Sequence, residues 1–102
     1  MTAVGSLKQA NIRFANQQQG TIITDKFEII ALSGTLANTG LHLHIAIRER
    51  YGKVIAGHLN PGCIIYTTAE IIIGTIEDFQ FIRAIDKKTG YLELDILPQN
   101  TG

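Results

Sequence analysis

The chain has 102 residues, enough for one domain with one hydrophobic core. Nine basic side chains balance nine acidic ones, so no net charge draws the whole protein to nucleic acid or to an anionic membrane. The single cysteine excludes an internal disulfide and a zinc site built from several thiolates of one chain, and the apolar runs are too short for a membrane span. We therefore expect a cytoplasmic protein with one domain over residues 1–102 and no membrane-embedded segment.

The predicted elements are short strands separated by turns. Alternating apolar and polar side chains predict a strand at residues 10–14, and residues 27–32 are also strand-like. Further strands are predicted at residues 41–48, 54–59, 63–67, 70–76, 79–85 and 91–97. No stretch has a convincing 3.6-residue period. The sequence therefore predicts a mainly antiparallel sheet or a partly closed barrel.

Residues 63–76 are apolar at most positions on both faces, as in a strand that is covered on both sides. The sequence predicts no helix that could cover the second face. A large exposed apolar patch is uncommon on a monomer, so we expect a neighbouring subunit to cover it.

The strongest chemical signal is a set of three histidines, which are the only ones in the chain. His42 and His44 occupy alternate positions of one predicted strand, so their side chains share a face. The intervening positions are large and apolar and are expected to face the core: Leu41, Leu43, Ile45 and Ile47. Two imidazoles at this spacing, with His58 on the next strand, suit zinc or another borderline divalent metal with one position open to water. The alternative is that they only line a solvated or subunit-facing surface.

The position of His58 depends on the register of the hairpin between the two strands. A turn centred on residues 51–52 sets His58 opposite Ile45, on the wrong face of the sheet. A bulge or a one-residue step would bring His58 beside His44 instead. The sequence leaves both registers open.

Glu70 is a second candidate, because a carboxylate buried within an apolar run needs a partner. One interpretation is a structural pair with an arginine such as Arg48 or Arg83, or hydrogen bonds to backbone amides. The other is a metal ligand, or a general base that acts on metal-bound water. We favour the structural pair.

A basic cluster at the predicted hairpin turn could contact phosphates, through Arg48, Arg50 and Lys53. Glu49 lies within this cluster and reduces its net positive charge. A charged hairpin tip is also most often only solvated. Contact with DNA is therefore a weaker hypothesis than the metal site.

The middle of the chain resembles the PPC domain (plant and prokaryote conserved domain). The segments that carry the resemblance follow one another in order: FEI at 27–29, LSGTL at 32–36, GLHLHIA at 40–46, GKVIAGHL at 52–59 and GCIIYTTAE at 62–70. The resemblance extends over about residues 4–97 and is loose at residues 86–94.

The resemblance implies a small α+β protein that assembles as a homotrimer. Family members usually open with a strand and a helix, and this sequence is expected to lack both. Plant members carry AT-hooks and act as nuclear DNA-binding regulators, so DNA is an implied partner, although this chain has no AT-hook.

Three classes of function remain. The first is an oligomeric binding or assembly module that is associated with DNA, as in the plant relatives. Such a module would carry a histidine-lined site for a divalent metal, with zinc as the first candidate. The second is a metal-dependent enzyme that acts on a small molecule, in which His42, His44 and His58 hold the ion and Glu70 is a possible base. The third is a structural oligomer with a histidine-lined interface.

Overall fold

The structure, a computed structural model of the chain, describes residues 1–99. Seven strands occur within them: β1 Thr2–Arg13, β2 Thr21–Ala37, β3 Gly40–Arg48, β4 Val54–Leu59, β5 Ile64–Ile72, β6 Phe79–Ile85 and β7 Leu92–Pro98. These residues contain no helix, so the expected α+β class is wrong for this part of the chain. The reason is the two-residue alternation, together with frequent β-branched side chains, which fit a half-buried pleated surface. The prediction of a mainly antiparallel sheet is confirmed.

Four strands close into a small barrel. β1 pairs with β2 at one edge, β2 with β3, and β3 with β4, all antiparallel. The ring closes where Ile12 and Arg13 at the end of β1 pair with Leu59 and His58 of β4. The rest of this edge of β1 pairs with β5, which ends the sheet order β2-β3-β4-β1-β5. The predicted antiparallel sheet is therefore present and is partly closed into a barrel.

The hydrophobic core is built from the first three strands. Its buried side chains are Ala3, Leu7, Ala10, Ile12, Phe27, Ile29, Leu32, Leu43, Ile45 and Ile47. The expected inward face of β3 is confirmed at its last three positions, but Leu41 is 62% exposed. Because β4 pairs with β3 only as far as His44, Leu41 lies beyond the part of β3 that the barrel covers.

The last two strands form a separate hairpin that attaches to the turn between β2 and β3. The Asn38 amide donates a hydrogen bond to the Phe81 carbonyl at 2.9 Å. Thr39 Oγ1 accepts a hydrogen bond from the Arg83 amide at 2.6 Å and lies 3.1 Å from the carbonyl of the same residue. These contacts hold β6 beside the start of β3.

β5 is one strand, although two were predicted, at residues 63–67 and 70–76. Large apolar side chains project from both of its faces, and Ile72 is 69% exposed. Within residues 1–99 its outer edge has no partner strand. In the same residues, no helix is both long and apolar enough to cross a membrane.

Gly34 explains how closely β2 approaches β3. A Cβ atom at this position would lie 2.8 Å from the Leu43 Cα and would also overlap the carbonyl oxygen of His42. The sequence pattern at residues 33–34 indicates a bulge or a close approach, and the structure shows the close approach.

We expect Gly34→Ala to lower the free energy of unfolding by about 1–3 kcal/mol, because the new methyl group must push two paired strands apart. Gly74→Ala is the matched control, since a Cβ at Gly74 would meet no atom within 4 Å. The control should change stability by no more than about 0.5 kcal/mol. Urea unfolding at equilibrium measures both, and equal costs would contradict the close approach.

Candidate metal centre

The loop between β3 and β4 settles the register that the sequence left open. The Glu49 amide donates to the Lys53 carbonyl at 3.0 Å, and the Gly52 amide donates to the Glu49 carbonyl at 3.0 Å. Gly52 has φ = 94°, the left-handed conformation that follows the turn in a three-residue hairpin loop. The loop is therefore one residue longer than a two-residue turn, and His44 lies opposite His58. The register that placed His58 on the wrong face is incorrect.

The three histidines converge on one face of the barrel. The His42 ring centroid lies 5.0 Å from that of His44 and 5.5 Å from that of His58, and the last two are 5.9 Å apart. One ring nitrogen from each lies within 4.8 Å of the other two. No other histidine, cysteine, aspartate or glutamate cluster of this kind occurs in residues 1–99. We call these three residues the histidine triad.

The surrounding backbone leaves little freedom for β4. Gly57 precedes His58, and a Cβ on it would lie 2.6 Å from Ile12 Cγ2 and 2.9 Å from the Arg13 carbonyl oxygen. Only glycine therefore allows β4 to lie this close to the end of β1. This contact fixes the position from which His58 reaches the other two histidines.

The histidine triad opens into a cavity of about 950 Å³. Besides the triad, its charged lining comes from Arg13 at the end of β1, Arg83 in β6 and Glu93 in β7. Phe14, Leu41 and Tyr91 are among the apolar residues that line it. The barrel and the terminal hairpin together form this cavity.

The electrostatic environment favours neutral imidazoles at two of the three positions. Burial lowers the pKa of His42, and the Arg83 guanidinium lowers it further, while Glu93 acts in the opposite direction. Burial also lowers the pKa of His58, and Arg13 is the largest charge contribution. A neutral imidazole keeps the lone pair that a metal ion needs, so these shifts suit a metal ligand.

Glu70 lies apart from the histidine triad in this chain. It pairs with Val4 of β1, is exposed and does not line the cavity. The expectation that it is buried is wrong for the isolated chain, because β5 is an edge strand with both faces uncovered. The suggested arginine partners also have other contacts: Arg48 forms an ion pair with Glu28, and Arg83 Nη2 donates to the Leu92 carbonyl at 2.6 Å.

The proposed phosphate contacts lie at the hairpin tip, away from the triad. Arg48 pairs with Glu28, and Arg50 Nη2 lies 3.6 Å from the Asp25 carboxylate. Lys53 is exposed. Since two of the three basic side chains have acidic partners, little uncompensated positive charge remains there for DNA.

Arg13 and Arg83 also line the site, although neither was predicted there from the sequence. Arg13 reaches it through a pairing between β1 and β4, which are more than 40 residues apart in the chain. Arg83 did leave a signal, because it is the one charged residue on an otherwise apolar face of β6, with Phe79, Phe81 and Ile85.

A family model described as the Plants and Prokaryotes Conserved (PCC) domain matches residues 1–77. This chain belongs to the PCC family. It is the family abbreviated PPC above, and the recognition from sequence is confirmed. The matched residues include β1 to β5 and all three histidines, whereas β6 and β7 follow the match.

Two curated relatives are both named bifunctional protein GlmU. The protein from Synechococcus sp. (strain JA-3-3Ab) is 48% identical over 96 residues, which cover 94% of this chain and 16% of the relative. The protein from Synechococcus sp. (strain JA-2-3B'a(2-13)) is 47% identical over 98 residues, which cover 96% of this chain and 16% of the relative. This PCC domain thus spans about one sixth of the length of these relatives.

Two solved structures share the fold. A hypothetical protein from Salmonella cholerae-suis has a TM-score of 0.92 and 41% identity, with 95% of this chain and 70% of that chain covered. A Bacteroides thetaiotaomicron protein described as a "putative dna binding protein" has a TM-score of 0.78 and 22% identity, with 92% and 70% covered. The second likeness, at this identity, concerns the fold alone.

The register of the hairpin can be tested by cross-linking. In a Cys63→Ala background, His44→Cys combined with His58→Cys should form a disulfide on mild oxidation. Directly opposite residues have Cα atoms about 4.5–5.5 Å apart, within the range that a disulfide bridges. Ile45→Cys combined with His58→Cys should keep both thiols free, because these side chains point to opposite faces. A thiol assay under denaturing conditions distinguishes the outcomes, and cross-linking of the second pair alone would contradict the register.

Proposed function

We propose that this PCC domain binds a divalent metal ion at the histidine triad and acts as an oligomeric binding module. Zinc is the metal that we propose. The observation that carries the proposal is the presence of three imidazole nitrogens within 4.8 Å of one another on adjacent strands. Around tetrahedral zinc, with Zn–N bonds of about 2.0–2.1 Å, neighbouring nitrogens are about 3.4 Å apart. The nitrogens, which lie within 4.8 Å of one another, therefore need to approach by at most about 1.4 Å.

Three histidine ligands leave one position of a tetrahedral ion open. This arrangement is typical of sites where an external ligand or water binds, since structural zinc sites have four protein ligands. The cavity beside the triad has room for such a ligand. We therefore favour a site that binds a small molecule over a purely structural one.

A metal-dependent enzyme is the alternative. The cavity and the open position support it, but Glu70, the expected base, lies outside the cavity. Among the described residues, the carboxylate that lines the cavity is that of Glu93. A base acting on metal-bound water would have to be this residue, or to come from another subunit.

DNA binding has less support than metal binding. It rests on the plant members that the family resemblance implies and on the description of one structural relative. The ion pairs of Arg48 and Arg50 reduce the positive charge at the hairpin tip. The chain has no net charge to supplement that patch. We therefore propose the metal-bound small molecule, and not DNA, as the ligand of this module.

The exposed apolar surface of β5 supports assembly into the homotrimer that the family resemblance implies. The strand has a free edge within residues 1–99, and its exposed isoleucines include Ile65, Ile71 and Ile72. An edge strand with uncovered apolar side chains is a site for pairing with another chain. We propose that β5 forms the subunit interface.

The metal site is tested by equilibrating the protein with zinc, removing free ions and measuring bound metal by elemental analysis. Native protein should retain zinc, whereas the double variant His42→Ala/His44→Ala should retain none. The single variant His58→Ala should lose more affinity than the about 10–100-fold typical of an outer-shell partner. Glu70→Gln should retain zinc. Loss in this control would make Glu70 a ligand from a neighbouring subunit, and absence of zinc from native protein would reject the site.

Assembly is tested by sedimentation. A trimer of the 11.2 kDa chain has a mass of about 34 kDa. Ile72→Lys should shift the population to monomer, because it places a charge on the proposed interface. Ile22→Lys is the matched control, since Ile22 is 62% exposed in β2 and lies outside that interface. A monomeric native protein, or equal dissociation of both variants, would contradict an interface on β5.

A further inference from the structure

We propose that the cavity beside the histidine triad is a site for a small organic anion. A carboxylate or phosphate group of this ligand takes the open position on the metal and pairs with Arg13 and Arg83. This inference rests on the proposed metal site and adds the chemical class of the ligand.

Arg13 belongs to a continuous row of side chains across the barrel. Ser33 pairs with His44, His44 with His58, and His58 with Arg13, on strands β2, β3, β4 and β1. Directly opposite residues of antiparallel strands project to the same face. Arg13 is therefore the immediate neighbour of His58 on the side away from His44, and it lines the cavity.

Arg83 borders the triad from the terminal hairpin and is held in place. Its backbone is fixed by hydrogen bonds with Thr39, and its Nη2 donates to the Leu92 carbonyl at 2.6 Å. A Cβ on Gly40 would lie 3.1 Å from Arg83 Cγ, so the side-chain stem lies against the start of β3. One guanidinium nitrogen is thus anchored. The planar group carries further donors, and Arg83 lines the cavity.

The charges around the cavity favour the binding of an anion. Within residues 1–99 the ion pairs are those of Arg48 and Arg50, so neither cavity arginine is neutralised in this way. The lining holds two guanidinium groups and one carboxylate, Glu93, which leaves one positive charge before any metal is bound. A divalent ion raises this to three. This uncompensated positive charge favours an anionic ligand over a neutral one.

The size and lining of the cavity indicate an organic ligand. Its volume of about 950 Å³ is near the upper end for small-molecule sites, about 300–1,000 Å³, and far exceeds an inorganic ion. Phe14, Leu41 and Tyr91 offer apolar surface beside the arginines. Guanidinium groups recognise both carboxylate and phosphate with paired hydrogen bonds, so these two classes share the chemistry of the site.

The experiment uses full-length protein loaded with Co²⁺, whose visible absorption reports changes in coordination. Acetate and phosphate are titrated separately at constant ionic strength, and imidazole serves as a neutral ligand for the same metal position. We expect at least one anion to change the spectrum in a saturable manner. Arg13→Gln and Arg83→Gln should each weaken binding of that anion by about tenfold or more, as expected for loss of a charge-assisted hydrogen bond. Imidazole binding should be unchanged, and Lys8→Gln is the control for net charge, since Lys8 is exposed in β1 away from the cavity.

The outcomes separate this inference from the metal site. If Co²⁺ binds but both anions bind equally well to native protein and to the arginine variants, the anion site is wrong and the metal site stands. If Co²⁺ does not bind to native protein, both proposals fail. Arg83→Lys distinguishes loss of the charge from misfolding as the cause of weaker anion binding. It keeps the charge and should restore part of the anion affinity. The stronger of the acetate and phosphate responses identifies the class of the ligand.

Discussion

The structure depends on one constraint, which is the length of the loop between β3 and β4. Side chains alternate along a strand, so a slip of one residue would move every side chain of β4 to the opposite face. The left-handed conformation of Gly52 accommodates the third loop residue and sets His44 opposite His58. With the shorter loop, His58 would point into the core and the triad would not exist. A local backbone requirement at an exposed turn therefore decides the chemistry of a site more than five residues away.

Closure of the barrel adds a charged residue, Arg13, to the three histidines. The ring closes through only two residue pairs between β1 and β4, and one of them places Arg13 beside His58. Gly57 makes this contact possible, because any larger residue would collide with Ile12 and with the Arg13 backbone. The same packing that completes the core thus brings the positive charge of Arg13 beside the histidine triad. Closure of the barrel and the position of Arg13 are coupled here through one close approach.

The parts of the fold that depend on local pattern could be predicted from the sequence. The shared face of His42 and His44 follows from alternation alone, and β6 was predicted with its observed limits. The predictions that failed concern contacts between residues that are far apart in the sequence. Leu41 is exposed because β4 ends before reaching it, and Arg13 joins the site through a strand that lies far along the chain. No periodicity within a single segment contains this information, since it arises only when the ring closes.

Two parts of the chain contribute residues to the site, the barrel and the terminal hairpin. All three histidines lie within the residues that match the family model, whereas Arg83 and Glu93 lie in the hairpin that follows it. The histidine triad and Arg13 are therefore held by the barrel, whereas β6 and β7 add one positive and one negative side chain to the cavity. Substitutions in the hairpin would change the charge around the cavity without disturbing the strand register that assembles the triad. On our proposal, the barrel holds the metal ion, and the hairpin adjusts which anion binds beside it.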